Sequence, residues 1–320
     1  MCKKRFFLAI CLCVAAGQVA LAAVPYYDWC SEYTTAPAHT LALWTFNENT
    51  ITGVSPSFSA LDIVFLRSAA LSGWAFFGDG GKFGWGFHNV GEQYAEDRAD
   101  VTPSTDLFPA RTDPSISVEC WIKLNDLSQQ QQYIVDKAYT DKKGFKFFLY
   151  RDPVNDPCVV EPDYYLTFIV GNDVNTVNIS TVLSWETDHW YHIAGTWDAA
   201  TDIGKLFRDG MEVFSTTYPG MSIVNAATRA LRIGNRRGSI YWALNGTIDN
   251  LRIADVAHQY AVHGPPQYCG DYGTVYLDGD ISGEYGVPDC RVDFYDFAQM
   301  AASWVQCSDP TDPSCDVYWK

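Results

Sequence analysis

The sequence predicts an all-β protein, an antiparallel jelly-roll β-sandwich with a small calcium loop–helix tail. Three observations point there. Aromatic residues make up 15% of the chain, and hydrophobic residues 48%. From about residue 40 to 255 the pattern is short strand, turn, short strand, with few stretches that support an amphipathic helix. The last 52 residues then change character, becoming acidic, loop-rich and dense in cysteine.

In chain order, the first residues come first. A basic "KKR" precedes the apolar run "FFLAICLCVAAGQVALA", which closes on the small-x-small pattern Ala20-Leu21-Ala22. That is the layout of a secretory signal peptide, residues 1–22, and the run is too short for a membrane anchor. Cys11 and Cys13 lie inside the apolar core, which argues against a lipoprotein signal. The expected location is secreted, cell-surface or periplasmic, with no membrane span. Cleavage removes Lys3, Lys4 and Arg5 and no acid, which takes the formal charge from −16 to −19. An acidic surface of this size repels nucleic acid and anionic lipid.

The strands follow. "HTLALWTF", "SISVECWIKL", "GFKFFLY", "YYLTFIV", "WYHIAGTW", "GKLFRDG", "RALRIG" and "GTIDNLRI" each alternate or run apolar over strand length. Asp209-Gly210 in "RDGMEV" is the signature of a tight hairpin. The Gln129–Gln132 run reads as a solvated loop. Gly264-Pro265-Pro266 can continue neither helix nor strand. The division is therefore 23–263 for the jelly roll, 264–268 for a linker and 269–320 for the tail.

Seven cysteines remain after the signal peptide. Cys269, Cys290, Cys307 and Cys315 fall in the tail, where an even set reads as two disulfides of undetermined connectivity stapling a unit too small for a large core. Cys120, on an apolar strand, is the candidate for a buried free thiol.

In the tail, "LDGDISGEYGVPDCRVDFYDFAQMAASW" sets acids before one helix at about 294–304. Calcium requires six to eight hard oxygens, presented at alternate loop positions. Asp278, Asp280, Ser282 and Gly283 fit the front of an EF-hand loop, with Asp289 at its end. Counting back from the helix instead places Asp296, Asp293 and Asp289. An insertion, "GEYGVP", between a front half and a back half reconciles the two registers. Without metal, Asp293 and Asp296 would still favour a helix start. The stretch resembles the dockerin-like tails of secreted planctomycete-type bacterial proteins. That resemblance implies Ca2+ held by Asp278, Asp280, Asp289, Asp293 and Asp296, and a cohesin-like or surface-anchoring partner. A full dockerin carries two loop–helix copies, and this chain carries one.

Residues 41–255 resemble the laminin-G-like jelly roll of the concanavalin A superfamily. The pieces occur in order: "ALWTF", "FFGDGG", "SISVECWIKL", "HWYHIAGTWD", "KLFRDGMEV" and "RIGNRRG…LNGTIDNLRIADVAH". The resemblance implies a calcium ion at the sandwich rim, with Asp79 and Asp249 at the family's acidic positions.

Fold alone does not choose between enzyme and binder. Laminarinase-type hydrolysis uses a Glu-x-Asp-x-(x)-Glu strand, which this sequence lacks; the adjacent Glu96-Asp97 would face opposite ways. His189 and His192 do not read as a catalytic or metal pair, and His192 reads as packing or hydrogen-bonding within the sheet. Binding is the expected function, toward polysaccharide or an extracellular protein. The segment beginning at Gly73 is rich in Gly and aromatics, and Trp74, Trp85 and Trp242 are the candidate ligand-stacking residues. The alternatives are a polysaccharide-active enzyme of the same superfamily and a structural envelope module.

Overall fold

A computed structural model describes residues 36–260, except 55–56, 92–95, 103–106, 108–113, 139–141, 152–163, 225–228 and 237–240, together with Phe297. The expected signal peptide, the linker, the tail acids Asp278, Asp280, Asp289, Asp293 and Asp296, and Cys269, Cys290, Cys307 and Cys315 lie outside the described residues.

The strands among the described residues are β1 (Thr40–Trp44), β2 (Ile51–Val54), β3 (Ser57–Leu61), β4 (Ser68–Ser72), β5 (Phe76–Gly81) and β6 (Gly84–Val90). Next come β7 (Arg98–Val101), β8 (Ile116–Leu124), β9 (Gln131–Asp136), β10 (Lys143–Arg151), β11 (Tyr164–Asn172) and β12 (Thr176–Leu183). The series closes with β13 (Trp190–Asp198), β14 (Ile203–Arg208), β15 (Met211–Thr217), β16 (Leu231–Ile233) and β17 (Asn245–Ala254). They form two sheets. One runs β15-β14-β13-β8-β17-β6-β5, with β1 also paired to β17; the other runs β12-β11-β10-β9-β16-β7-β4-β3-β2. Pairings between named strands are antiparallel.

The inner faces supply one core. Phe145, Phe147 and Leu149 of β10 meet Val118, Cys120 and Ile122 of β8 and Ile193 of β13 within it. Where β11 faces β13, a Cβ on Gly195 would lie 2.4 Å from the Phe168 ring, so only glycine lets the sheets approach this closely. Cys120 is a buried free thiol, as its strand position implied, and burial pushes its pKa well up. The tight hairpin also forms: Asp209 and Gly210 both have positive φ, 53° and 76°, between β14 and β15.

One expectation needs correction. Gln129–Gln132 is not simply a solvated loop. Gln132 belongs to β9 and is fully buried, its amide donating to the Asp126 carbonyl and accepting from the Asn245 N–H. The Gly73 segment builds β5 and β6 and leads into β7. Its glycines and the small residues of β3 and β4 carry little strand signal, which hid these edge elements.

Candidate aromatic cleft

Alternation along β10 sends Phe145, Phe147 and Leu149 inward, and therefore Lys146, Phe148 and Tyr150 outward. Register then aligns neighbours. Phe148 pairs with Tyr133 on one side and Thr167 on the other, and Thr167 pairs with Ser180. One row on, Tyr150 pairs with Gln131 and with Tyr165. These two rows, with Asn178 and Arg236, line a cleft of about 520 Å³ on the outer face of the nine-stranded sheet.

The cleft floor is a stack of rings. Tyr133 and Phe148 lie 4.6 Å apart and nearly parallel, and Trp242 continues the stack at 6.3 Å from Tyr133. The Arg236 guanidinium sits 4.3 Å over the Trp242 ring. Tyr150 and Tyr165 form a tilted pair at 6.3 Å. On the polar side, the Thr167 and Ser180 hydroxyls share a 2.8 Å hydrogen bond. Burial pushes the Tyr133 phenol pKa upward, partly offset by the Arg236 charge. Among the described residues no Asp or Glu lines this cleft. Its chemistry is that of a flat apolar platform with hydroxyl and amide edges, the combination that takes the faces and rims of sugar rings.

A second cleft, of about 850 Å³, lies at the β5–β6 hairpin. Asp79 and Trp85 are cross-strand partners there, and Glu48, Asn47 and Lys82 line it with them. Asp249 is placed differently. It is fully buried under the same hairpin, where it accepts from the Phe83 and Asn250 N–H groups. Trp74 is 73% exposed beside β5 and lines neither cleft. Of the three expected tryptophans, then, Trp242 borders the aromatic cleft, Trp85 lines the hairpin cleft and Trp74 stands apart.

Over Trp121 and Phe207 the outer face of the eight-stranded sheet is closed. Trp121, Ala194, Phe207 and Tyr260 bury one another there, against Phe83 and Trp190. Beneath them Arg252 donates to Glu119 at 2.8 Å, and His192 Nε2 lies 3.4 Å from the other Glu119 oxygen. Burial alone would raise the Glu119 carboxyl, but the Arg252 charge together with the His192 hydrogen bond and the His192 and His258 charges outweighs it and holds the pKa at about 2. Burial, reinforced by Arg252, depresses His258 to about 4. His192 is 2% exposed and packs edge-on to Trp121, the packing role read from its strand. Asp97 is likewise structural, buried and accepting from the Trp74 N–H, while Glu96 pairs outside with Arg98.

Sequence reasoning missed Tyr133, Phe148, Tyr150, Tyr165 and Arg236. One signal was present: "FKFFLY" places aromatics at both parities of one strand, which a single core cannot absorb.

A family model described as the concanavalin A-like lectin/glucanases superfamily matches residues 67–259. No protein of curated function matches the sequence. Among solved structures, domain 4 of an extracellular arabinanase from Geobacillus stearothermophilus, in complex with arabinotriose, is 17% identical. That match covers 68% of this chain and 93% of the other, with a TM-score of 0.44. A heptameric SAP-like pentraxin from Limulus polyphemus is 17% identical over 50% of this chain and 72% of its own, with a TM-score of 0.35. The binding domain of botulinum neurotoxin DC, in complex with rat synaptotagmin II, is 11% identical over 68% of this chain. The match spans 48% of that domain, with a TM-score of 0.48. Such identities and scores say nothing about ligand.

Proposed function

The chain belongs to the concanavalin A-like lectin/glucanases superfamily, and from that premise we propose that it is an exported, non-catalytic carbohydrate-binding protein. One observation carries the reading: the outer face of the nine-stranded sheet gathers Tyr133, Phe148, Tyr150 and Tyr165 with Gln131, Thr167, Asn178 and Ser180 into a cleft that no carboxylate lines among the described residues. Glycoside hydrolysis needs a carboxyl pair, whereas sugar binding needs stacking surfaces and hydrogen-bonding edges. The test is retention of mature protein on a panel of insoluble polysaccharides, with calcium and with chelator. Retention abolished by Tyr150→Ala with Tyr165→Ala supports the cleft. Retention on none of the panel, with a protein partner recovered by crosslinking, would replace this reading with that of an envelope interaction module.

Residues 269–320 are read as a calcium-binding tether, by the acid spacing in the sequence. Asp293→Ala with Asp296→Ala in the full chain should remove calcium binding measured by calorimetry. A rim calcium at Asp79 is a separate expectation, since Asp249 already spends its carboxylate on backbone N–H groups. Asp79→Ala should remove a distinct, second binding event.

A polysaccharide-active enzyme has one observation in its favour. Glu48 and Asp79 line the hairpin cleft together, beside Trp85. Release of reducing ends from a polysaccharide, lost in Asp79→Asn, would make that the correct reading.

A further inference from the structure

We propose that the aromatic cleft is built for an anionic glycan, one bearing a uronate carboxylate or a sulfate ester, with Arg236 receiving the acid. The proposal rests on the carbohydrate-binding reading and adds the ligand class. Arg236 is the one charged residue among those described that line the cleft. The chain holds 38 acids against 22 lysines and arginines, so carboxylates are abundant. Arg67, Arg98, Arg208, Arg232 and Arg252 each have a carboxylate within 4 Å. Arg236 has none among the described residues, and its Nε is buried without a hydrogen-bond partner.

Burying that Nε costs desolvation that no carboxylate among the described residues offsets. What holds Arg236 is the Trp242 ring, 4.3 Å beneath the guanidinium. Stacking occupies the flat face of the group and leaves its donors, which all lie in the plane, directed sideways. An in-plane fork of N–H donors matches the paired oxygens of a carboxylate or sulfate. The neighbouring rings would hold the sugar that carries the acid, and Asn178, Ser180 and Gln131 offer partners for its hydroxyls. The chain's overall negative charge does not forbid this. Exposed charges beyond about 8 Å are largely screened at physiological ionic strength, while a contact inside the cleft is not.

The experiment titrates the mature full-length protein, by calorimetry, with oligogalacturonate, oligomannuronate and a sulfated galactan oligosaccharide. Each is paired with its carboxyl-reduced or desulfated counterpart. We expect at least one acidic member to bind about tenfold or more tighter than its neutral counterpart, an advantage that shrinks as salt is raised. Arg236→Gln should erase the advantage, so that on that variant the acidic member and its neutral counterpart bind equally, while Arg236→Lys retains part of it. The member that shows the preference identifies carboxylate or sulfate as the source. Equal binding of each acidic and neutral pair, unaffected by Arg236→Gln, overturns the anionic assignment and leaves the glycan reading intact. Binding of none, together with wild-type-like polysaccharide retention by the Tyr150→Ala, Tyr165→Ala variant, overturns both.

Discussion

One outer face of the sandwich keeps its charges in pairs beneath a covering segment; the other carries rings and an arginine with no carboxylate among the described residues. On the eight-stranded sheet, Glu119 and Arg252 are shut in with His192 under Trp121, Phe207 and Tyr260. On the nine-stranded sheet, Tyr150 and Tyr165 stay partly exposed and Arg236 faces a cleft. Both sheets feed the same core, so the interior does not require this difference. On the proposed reading, stability and recognition are assigned to opposite surfaces of one fold.

The comparison can be broken most severely at the closed face. Glu119→Ala leaves Arg252 buried without its partner and should cost about 3–5 kcal/mol in chemical denaturation. Retention on polysaccharide by the molecules that remain folded should be normal. A loss of under about 1 kcal/mol would mean that the pair is not the closed face's main electrostatic contact.

Acid probes the same face more gently. His258 has a folded pKa of about 4, below the ordinary 6.5, so the unfolded chain takes up its proton first. Stability from this group is fully present above pH 6.5 and is lost as pH falls through 4. The loss should reach roughly 3 kcal/mol. Glu119, held at about 2, adds a further loss between its ordinary 4.5 and that value. His258→Gln should flatten the denaturation midpoint between pH 6.5 and 4; an unchanged slope would refute the assignment.

The open face predicts the reverse trade. Tyr150→Ala with Tyr165→Ala should weaken glycan retention at least about tenfold, ~1.4 kcal/mol. Unfolding stability should move by no more than about 1 kcal/mol. If stability fell instead and retention held, the rings would be packing residues. The smallest effect is expected at Cys120. Mass-spectrometric mapping after thiol labelling should find it unmodified in the native protein and modified after denaturation.

What could be read beforehand divides along the same line. β8 and β13 are covered on both faces, so "SVECWIKL" and "WYHIAGTW" stand out as near-continuous apolar runs. β5 and β7, "FFGDGG" and "RADV", depend on their neighbours for pairing and announce little. The cleft was still less legible. Its rings come from three strands, and only the pairing of Phe148 with Tyr133 and of Tyr150 with Tyr165 brings them together. Register of that kind is a long-range property that no local stretch encodes. Size pointed to Trp74, Trp85 and Trp242, and one of the three reached the edge of the cleft. Arg236 lies inside "GNRRG", where no local pattern singles it out.

Tyr260 has a mechanical consequence. It is packed on the outer face of the eight-stranded sheet, while the aromatic cleft opens on the outer face of the nine-stranded one. On the proposed reading, a force applied at Tyr260 therefore pulls from the side opposite the ligand. A load between the two crosses the thickness of the sandwich and is borne by interdigitated core side chains. It does not have to peel an edge strand away one hydrogen bond at a time.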